Sequence, residues 1–271
     1  MDLASIIGLG IGLTVVVLVM IMDGGSPADL FAHPSAILLI VGGSIAATTI
    51  TTSLSVVKTL PKVIGSAFQT LKLDAYASIE LLVTMAEKAR KDGLLSLEEE
   101  TKKIDDEFLQ KGLMMVVDGL DPVQIRTVLE TNIEQVRAQR RGGYGFFSAA
   151  GGFSPTFGII GTVMGLISVL KQLDDPSTLA RSIAGAFLAT LWGLLMANLV
   201  YLPLGGKLKA KSDEETHIRY MQMEGMLAIQ AGENPRIVRD KLTSYLPPRA
   251  EAKAAAEGKS AVKTSTNEAE A

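Results

Sequence analysis

Four stretches of the chain are apolar and contain no charged residue. They cover residues 3–22, about 34–54, about 148–170 and about 183–204, and polar segments separate them. An apolar run of ~20 residues is long enough to cross a bilayer core of ~30 Å as a helix. The pattern therefore predicts four transmembrane helices.

The first stretch has an alternative interpretation as a secretory signal peptide. Such a peptide has a basic flank and a shorter apolar core. Only Met1 and Asp2 precede the stretch here, so neither Lys nor Arg flanks it. We therefore expect a retained membrane span.

The polar segments show the spacing of amphipathic helices and no alternation typical of strands. Apolar residues recur at helical spacing in 74–92 and in 125–136, and Gly93 and residues 140–143 are expected to end these two helices. The predicted fold class is an all-α integral membrane protein, with four transmembrane helices and a large helical insert between the second and third.

The same pattern divides the chain into five parts. Residues 1–54 contain the first two spans, 55–147 form the helical insert, 148–204 contain the last two spans, and 205–249 form a helical extension. Residues 250–271 are rich in Ala, Glu, Lys, Ser and Thr, so a disordered tail is expected there.

The positions of Lys and Arg predict the orientation in the membrane. Residues 54–150 contain 13 of the 26 basic residues and 205–271 contain 11, whereas the link 23–33 contains none. Basic loops stay on the cytoplasmic side. The insert, the extension and both termini are therefore expected in the cytoplasm.

Composition excludes several classes of function. The mean hydropathy is +0.30 and cysteine is absent, which excludes a disordered chain, disulfides and zinc–thiolate sites. His33 and His217 are too few for a histidine metal site, and a net charge of −3 does not indicate a nucleic-acid partner. The sequence contains no P-loop and no nucleophile–base pair of the kind that indicates an enzyme. We therefore expect no enzymatic activity and no tightly bound cofactor.

The four spans also lack the groups that usually carry ions. No Asp, Glu, Lys, Arg or His lies in the core of any apolar stretch. Ionisable residues inside the membrane are the usual mark of an ion pathway. Either the chain is not a transporter, or a helix of a partner supplies the carboxylate.

Small and hydroxyl residues line the third and fourth spans at helical spacing. A stripe of small residues lets two membrane helices approach closely, and we favour packing within one subunit over packing between subunits. The stripe contains Gly158, Gly161 and Gly165 in one span and Gly185, Ala189, Gly193 and Ala197 in the other. Thr162 and Thr190 lie near mid-depth. Each either bonds its own backbone one turn back or offers an oxygen to a cation, and the pattern alone favours the first.

Two prolines in the spans also have two possible interpretations. Pro155 opens the third span and Pro203 closes the fourth, so they are helix ends or flexible joints.

In the segment KARKDGLLSLEEE (88–100), Arg90 and Lys91 precede a turn, and Glu98 and Glu99 follow it. These charges form a solvated face, with Glu99 in a capping box with Ser96, or they form a contact surface.

Four motifs in order resemble the MotA/PomA family, the A subunits of the bacterial flagellar stator. They are KARKDGLLSLE (88–98), SPTFGIIGTVMGLI (154–167), ATLWGLLMANLVYLPL (189–204) and AIQAGENPRIVRDKLTSYLPP (228–248). The resemblance covers residue 1 to about residue 248.

The resemblance implies a motor in the bacterial inner membrane. Five A chains surround a dimer of single-span MotB/PomB-type B subunits, and the B helix brings the ion-binding Asp. Na⁺ or H⁺ crosses between A and B, the A ring turns, and the A insert contacts the rotor protein FliG.

The resemblance also implies roles for individual residues. Arg90 and Glu98 match the charges that contact FliG, with Lys91 and Glu99 as neighbours.

Pro155 and Pro203 match two functional prolines, and Thr190 matches a threonine near the ion path. Thr162 matches a position where sodium-driven members carry Thr, which favours Na⁺. Ala189 is a second Thr in some sodium-driven members, which weakens that preference.

Two other classes of protein remain as alternatives. An ExbB/TolQ-type energy-transducing subunit has the same two-helix core, but it usually has three spans and an external N-terminus. The second alternative is a membrane scaffold or receptor without ion flow.

Overall fold

The computed structural model describes residues 3–69, 73–171 and 176–246, and every regular element in that part of the chain is helical. The predicted tail 250–271 lies outside the described residues. The helices are α1 (Leu3–Met22), α2 (Pro34–Ile50), α3 (Leu54–Ala67), α4 (Ala75–Asp92), α5 (Glu98–Thr101), α6 (Glu107–Val117), α7 (Pro122–Leu170), α8 (Pro176–Leu195), α9 (Leu202–Gln230) and α10 (Pro235–Thr243). Two 3₁₀ turns cover Pro27–Phe31 and Leu94–Leu97, and a π-helical segment covers Met196–Tyr201.

Local capping residues account for several of these helix ends, including the predicted end at Gly93. Asp74 begins α4 by accepting hydrogen bonds from the backbone N–H groups of Tyr76 and Ala77. Gly93 ends α4 with a φ of 83°, a left-handed conformation that glycine adopts at no steric cost. Asn234 begins α10 in the same way as Asp74 begins α4.

The predicted helix end at residues 140–143 is wrong. The helix that begins at Pro122 does not end at residues 140–143, because α7 continues without a break to Leu170. The two glycines there are contact positions: a Cβ on Gly142 would lie 2.8 Å from Val56 Cγ2, and a Cβ on Gly143 would lie 3.1 Å from Val63 Cγ1. They let α3 pack on α7.

The prolines are not helix ends either. Pro155 does not open a helix but lies inside α7. Pro203 does not close one, because α8, the π-helical segment and α9 follow one another directly. Each proline therefore removes one backbone hydrogen bond from a continuing helix.

Three helical stretches of the described chain are long and apolar enough to cross a membrane. They lie within Ala4–Met22, Pro122–Leu170 and Leu179–Gln230. The helix Pro34–Ile50 is equally apolar but has 17 residues. At 1.5 Å per residue it is about 25 Å long, at the lower limit for a span.

The chain forms two compact units whose boundaries fall within α7 and α9. The first contains residues 1–70 and 138–212. Its core includes a cluster of Ala67, Phe146, Phe147, Ala150, Tyr201 and Leu208. Much of α1 remains exposed, including Ile7, Ile11 and Val15, as expected for a helix that faces lipid or another subunit.

The second unit contains residues 71–137 and 213–271. Its larger core includes side chains from α4, α6, α7, α9 and α10, among them the fully buried Leu82, Leu113, Ile125, Met226 and Leu242. The predicted stripes are core positions except at one end: Ile79, Leu82 and Val83 of α4 and Ile125, Leu129 and Ile133 of α7 are buried, whereas Val136 is half-buried. Arg219 donates to both carboxylate oxygens of Asp106, at 2.6 and 2.7 Å, beside this core.

Candidate functional site

The small-residue stripe is the surface on which α7 and α8 meet. A Cβ on Gly161 would lie 2.6 Å from the Cβ of Ala189, and one on Gly165 would lie 2.7 Å from the Cβ of Ala186. Real Cβ atoms do not approach so closely, so any larger residue at Gly161 or Gly165 forces the helices apart. The stripe thus packs within the subunit, as predicted.

This close packing brings the two predicted ion-path threonines together. Thr162 Oγ1 and Thr190 Oγ1 are hydrogen-bonded to each other. Thr162 Oγ1 also lies 3.1 Å from the carbonyl oxygen of Gly158, on its own helix, and 3.0 Å from that of Ala186, on α8. The predicted bond to the backbone one turn back is therefore present for Thr162, whereas Thr190 bonds to the hydroxyl of Thr162 instead.

The hydroxyl pair is half-buried and uncharged. Its oxygens, with the two carbonyl oxygens nearby, are the kind of ligand that hard cations such as Na⁺ and Ca²⁺ prefer. No ionisable side chain lies in this part of the sequence to neutralise a cation. The pair can contribute oxygen contacts to a passing ion, but the charge must come from elsewhere.

Ser154 is a contact residue between α7 and α8 that the sequence analysis missed. It is fully buried, and its hydroxyl donates to the carbonyl oxygen of Gly193 at 2.9 Å. It therefore links α7 to α8 one residue before Pro155. A serine that precedes a proline within an apolar run is the only sequence signal for it.

The two prolines weaken two stretches of helix that lie against each other. Pro155 cannot donate to the carbonyl of Gly151, and Pro203 cannot donate to that of Leu199. A Cβ on Gly151 would lie 2.6 Å from Leu202 Cδ2, so the stretch before Pro155 packs against the residue before Pro203.

The π-helical segment Met196–Tyr201 directly precedes this second proline, and the N–H of Leu202 donates to Ala197, five residues back. Such wide turns are common at functional sites in helices. Both prolines therefore lie inside continuous helices and not at helix ends.

The predicted rotor-contact charges lie at the end of α4 and the start of α5. Arg90 and Lys91 are exposed in the last turn of α4, and Glu98 and Glu99 are exposed in the first turn of α5. Between them, the fully buried Leu97 fixes the connecting turn to the core of the second unit. A rigid scaffold thus presents basic and acidic groups on a short loop.

Their electrostatic environments differ. Lys102 donates to Glu98 at 2.7 Å, and this hydrogen bond holds the pKa of Glu98 below its usual value. Within the described part of the chain, Arg90, Lys91 and Glu99 have no oppositely charged group within 4.0 Å. These three charges are available to a partner.

The capping-box interpretation of Glu99 is wrong. The hydroxyl of Ser96 donates back to the carbonyl of Gly93 at 2.7 Å, and α5 begins after Leu97 without a side-chain cap. Since Glu99 has no capping role, its charge is left on the surface. Glu100, which the sequence analysis did not single out, is paired with Lys88 at 3.2 Å and Lys103 at 3.4 Å, and these bonds lower its pKa.

Comparison with known protein families identifies both halves of the chain. Residues 6–93 match the family described as Motility protein A N-terminal, and residues 100–221 match the MotA/TolQ/ExbB proton channel family. Motility protein A of Borreliella burgdorferi is 38% identical over 92% of this chain and 95% of its own length. Chemotaxis protein PomA of Vibrio alginolyticus is 37% identical over 91% of this chain and 96% of its own length.

Solved structures agree with these matches. The structure of MotAB from C. jejuni superposes with a TM-score of 0.87 at 33% identity, covering 92% of this chain and 97% of that one. The flagellar MotAB stator complex from Bacillus subtilis gives a TM-score of 0.85 at 32% identity with the same coverage. The shared fold therefore extends over almost all of this chain.

Proposed function

This chain belongs to the MotA/PomA family of inner-membrane motility A proteins, and on that premise we propose that it is the A subunit of a flagellar stator. In a complex with a B subunit it forms an ion pathway whose flow produces torque. One observation carries the proposal: the close packing of α7 on α8 pairs Thr162 with Thr190 in a region without any carboxylate. That site is suited to assist an ion but not to hold one alone.

The proposed topology has four spans with both termini in the cytoplasm. Three spans are the long apolar helices, and α2 is the fourth, since 17 residues are just enough to cross a bilayer core. The distribution of Lys and Arg supports this orientation. The second compact unit then lies in the cytoplasm, where it carries Arg90, Lys91, Glu98 and Glu99 toward the rotor.

The proposed complex has five A chains around a B dimer, as in the family it resembles. A B-chain Asp binds the ion next to the Thr162–Thr190 pair. One charge that falls through 100 mV releases ~2.3 kcal/mol. Loading and unloading a buried carboxylate changes its burial cost by a comparable amount. As the B-chain carboxylate alternates between its ion-bound and ion-free states, the B helix packs best first against one A subunit and then against the next. The ring therefore turns around B.

The prolines connect that step to the cytoplasmic unit. The backbone of a helix bends most easily where a hydrogen bond is missing. Because the stretches before Pro155 and Pro203 are packed together, a shift at the ion site reaches both of them. We expect Pro155→Ala and Pro203→Ala to insert and assemble normally but to lose most of their torque.

Na⁺ is the proposed transported ion, on the basis of Thr162, with H⁺ as the alternative. Swimming speed is measured against external Na⁺ at fixed pH and ionic strength. Speed that rises with Na⁺ and saturates supports Na⁺, and speed that does not respond to Na⁺ assigns H⁺.

The rotor contact with FliG is tested by charge reversal. Arg90→Glu is expected to impair swimming, and a compensating charge change in FliG should restore part of it. Lys111→Glu is the matched control, because Lys111 is an exposed basic residue on α6 outside the cluster. If reversing Arg90 and Glu98 together has no more effect than the control, the cluster is a solvated surface.

The family match to residues 6–93 supports the stator over an ExbB/TolQ-type subunit, since that family is described as Motility protein A N-terminal. Co-purification of a single-span protein with an Asp near the start of its span would support the stator further.

A further inference from the structure

A cleft of about 300 Å³ lies within the first compact unit, beside Pro203. Three parts of the chain line it: the first turns of α1, the end of α3, and the segment from Asn198 to Lys207. This places the cleft against the π-helical segment and the proline that follows it. Nothing in the ion pathway or the rotor contact uses it.

The cleft is apolar with one charged group. Its lining includes Leu9, Phe68, Leu199 and Leu204, and Lys207 is the one formally charged residue among the described residues that line it. Lys207 is half-buried and donates a hydrogen bond to the hydroxyl of Ser5, so its ammonium group lies beside the first turns of α1. An apolar wall beside an ammonium group matches a ligand that has an acyl chain and an anionic head group.

One wall of the cleft is held in place by another lysine. The ammonium group of Lys211 donates to the carbonyl oxygens of Ser66 and Ala67, at 2.9 and 2.8 Å, and also to that of Gln69. These carbonyls lie at the end of α3, where a cation is favoured by the helix dipole. The bonds fix the position of Phe68, which lines the cleft.

The cleft is open to the surroundings of the chain. Leu9, Val200 and Pro203 in its lining are exposed. Gly8 is also exposed, and a Cβ there would meet no atom within 4 Å. Most of α1 is exposed and apolar, and under the proposed topology it lies in the membrane, so a lipid chain can enter the cleft from the side.

We propose that the cleft binds an anionic phospholipid of the cytoplasmic leaflet. One acyl chain lies along the apolar wall, and the phosphate lies against Lys207. The proposal rests on the orientation given under the proposed function, which places Lys207 just inside the cytoplasmic surface. Since Pro203 and Leu199 line the same cleft, the bound lipid supports the helix where its backbone bonding is weakest.

The test compares two matched pairs of variants in the purified complex of this chain with its B subunit. Gly8→Leu fills the cleft, and Gly10→Leu adds the same side chain two residues away, where a Cβ also meets nothing within 4 Å and the residue does not line the cleft. Lys207→Gln removes the charge, and Lys209→Gln removes that of an exposed lysine outside the lining. Phosphatidylglycerol and phosphatidylcholine with identical chains are added in turn, and native mass spectrometry counts the lipids retained.

The wild-type complex should retain several-fold more phosphatidylglycerol than phosphatidylcholine. Lys207→Gln should remove that preference, Lys207→Arg should keep it, and Gly8→Leu should reduce retention of both lipids. Gly10→Leu and Lys209→Gln should behave as wild type. Equal retention by Gly8→Leu and Gly10→Leu, or an unchanged preference in Lys207→Gln, overturns the proposal. If the stator function is wrong, the wild-type complex still retains lipid as described but does not restore swimming. The two failures are therefore distinguishable.

Discussion

Replacing Gly161 by alanine tests whether contact between α7 and α8 sets the geometry of the hydroxyl pair. The added Cβ would lie 2.6 Å from the Cβ of Ala189 and 3.3 Å from Leu39 Cδ2. Carbon atoms in ordinary contact are ~3.5–4.0 Å apart, so the two helices must separate by roughly 1 Å. Overpacking of this kind costs ~1–3 kcal/mol.

The same separation affects Thr162. Its oxygen lies 3.0 Å from the carbonyl of Ala186 on the other helix. An added ~1 Å takes this distance beyond the ~3.2 Å limit of a hydrogen bond. We therefore expect Gly161→Ala to loosen the hydroxyl pair as well as to destabilise the fold.

Gly152→Ala is the matched control, because Gly152 is in the same helix and a Cβ there meets nothing within 4 Å. Both changes bring the same gain of ~1 kcal/mol in helix propensity, so the difference between them isolates the contact. Thermal unfolding of the purified complex should show a midpoint lower by roughly 2–10 °C for Gly161→Ala than for the control. Swimming should be impaired only by Gly161→Ala. Equal midpoints and equal swimming in the two variants would refute the claim that this helix contact sets the geometry of the hydroxyl pair.

Two further predictions concern the second compact unit. Arg219→Met removes the charge partner of Asp106, whose carboxylate is about one fifth exposed and still accepts from the N–H groups of Phe108 and Leu109, and should cost ~1.5–3 kcal/mol in chemical denaturation. Lys102→Met breaks only an exposed pair and should leave the midpoint unchanged. Arg239 hydrogen-bonds to Glu80 and lowers the pKa of that carboxyl from 4.5, so the pair stabilises the fold above that pH and loses its effect as pH falls through the lowered pKa. Arg239→Gln should therefore show a smaller loss of stability than wild type between about pH 6 and about pH 3, and an equal or larger loss would contradict the assignment.

The sequence predicted the helices and some of their ends, such as Gly93, but not the end of the helix that begins at Pro122. Helical spacing identifies a buried face because each residue on it is apolar, and the core positions of α4 and α7 were found in this way. Gly142 and Gly143 were misinterpreted as a helix end, because glycine favours helix ends and close helix contacts alike. Only the partner helix, with Val56 and Val63, distinguishes the two uses.

The candidate site was predictable in its parts and not in its assembly. Thr162 and Thr190 were singled out as separate residues, but their hydrogen bond depends on the register of α7 on α8, which no local pattern encodes. Ser154 was missed for the same reason, since its partner lies 39 positions away. Pro155 and Pro203 were expected at helix ends because an isolated helix is broken by proline, whereas helices packed on neighbours tolerate it.

The most direct test of the central claim is ion flux into proteoliposomes under an imposed membrane potential. The purified chain alone should give no selective current, since its spans contain no ionisable group. The complex with the B subunit should conduct, and replacing the B-chain Asp by Asn should abolish the current. A selective current from the chain alone would contradict the claim that the charge of the ion site comes from a partner.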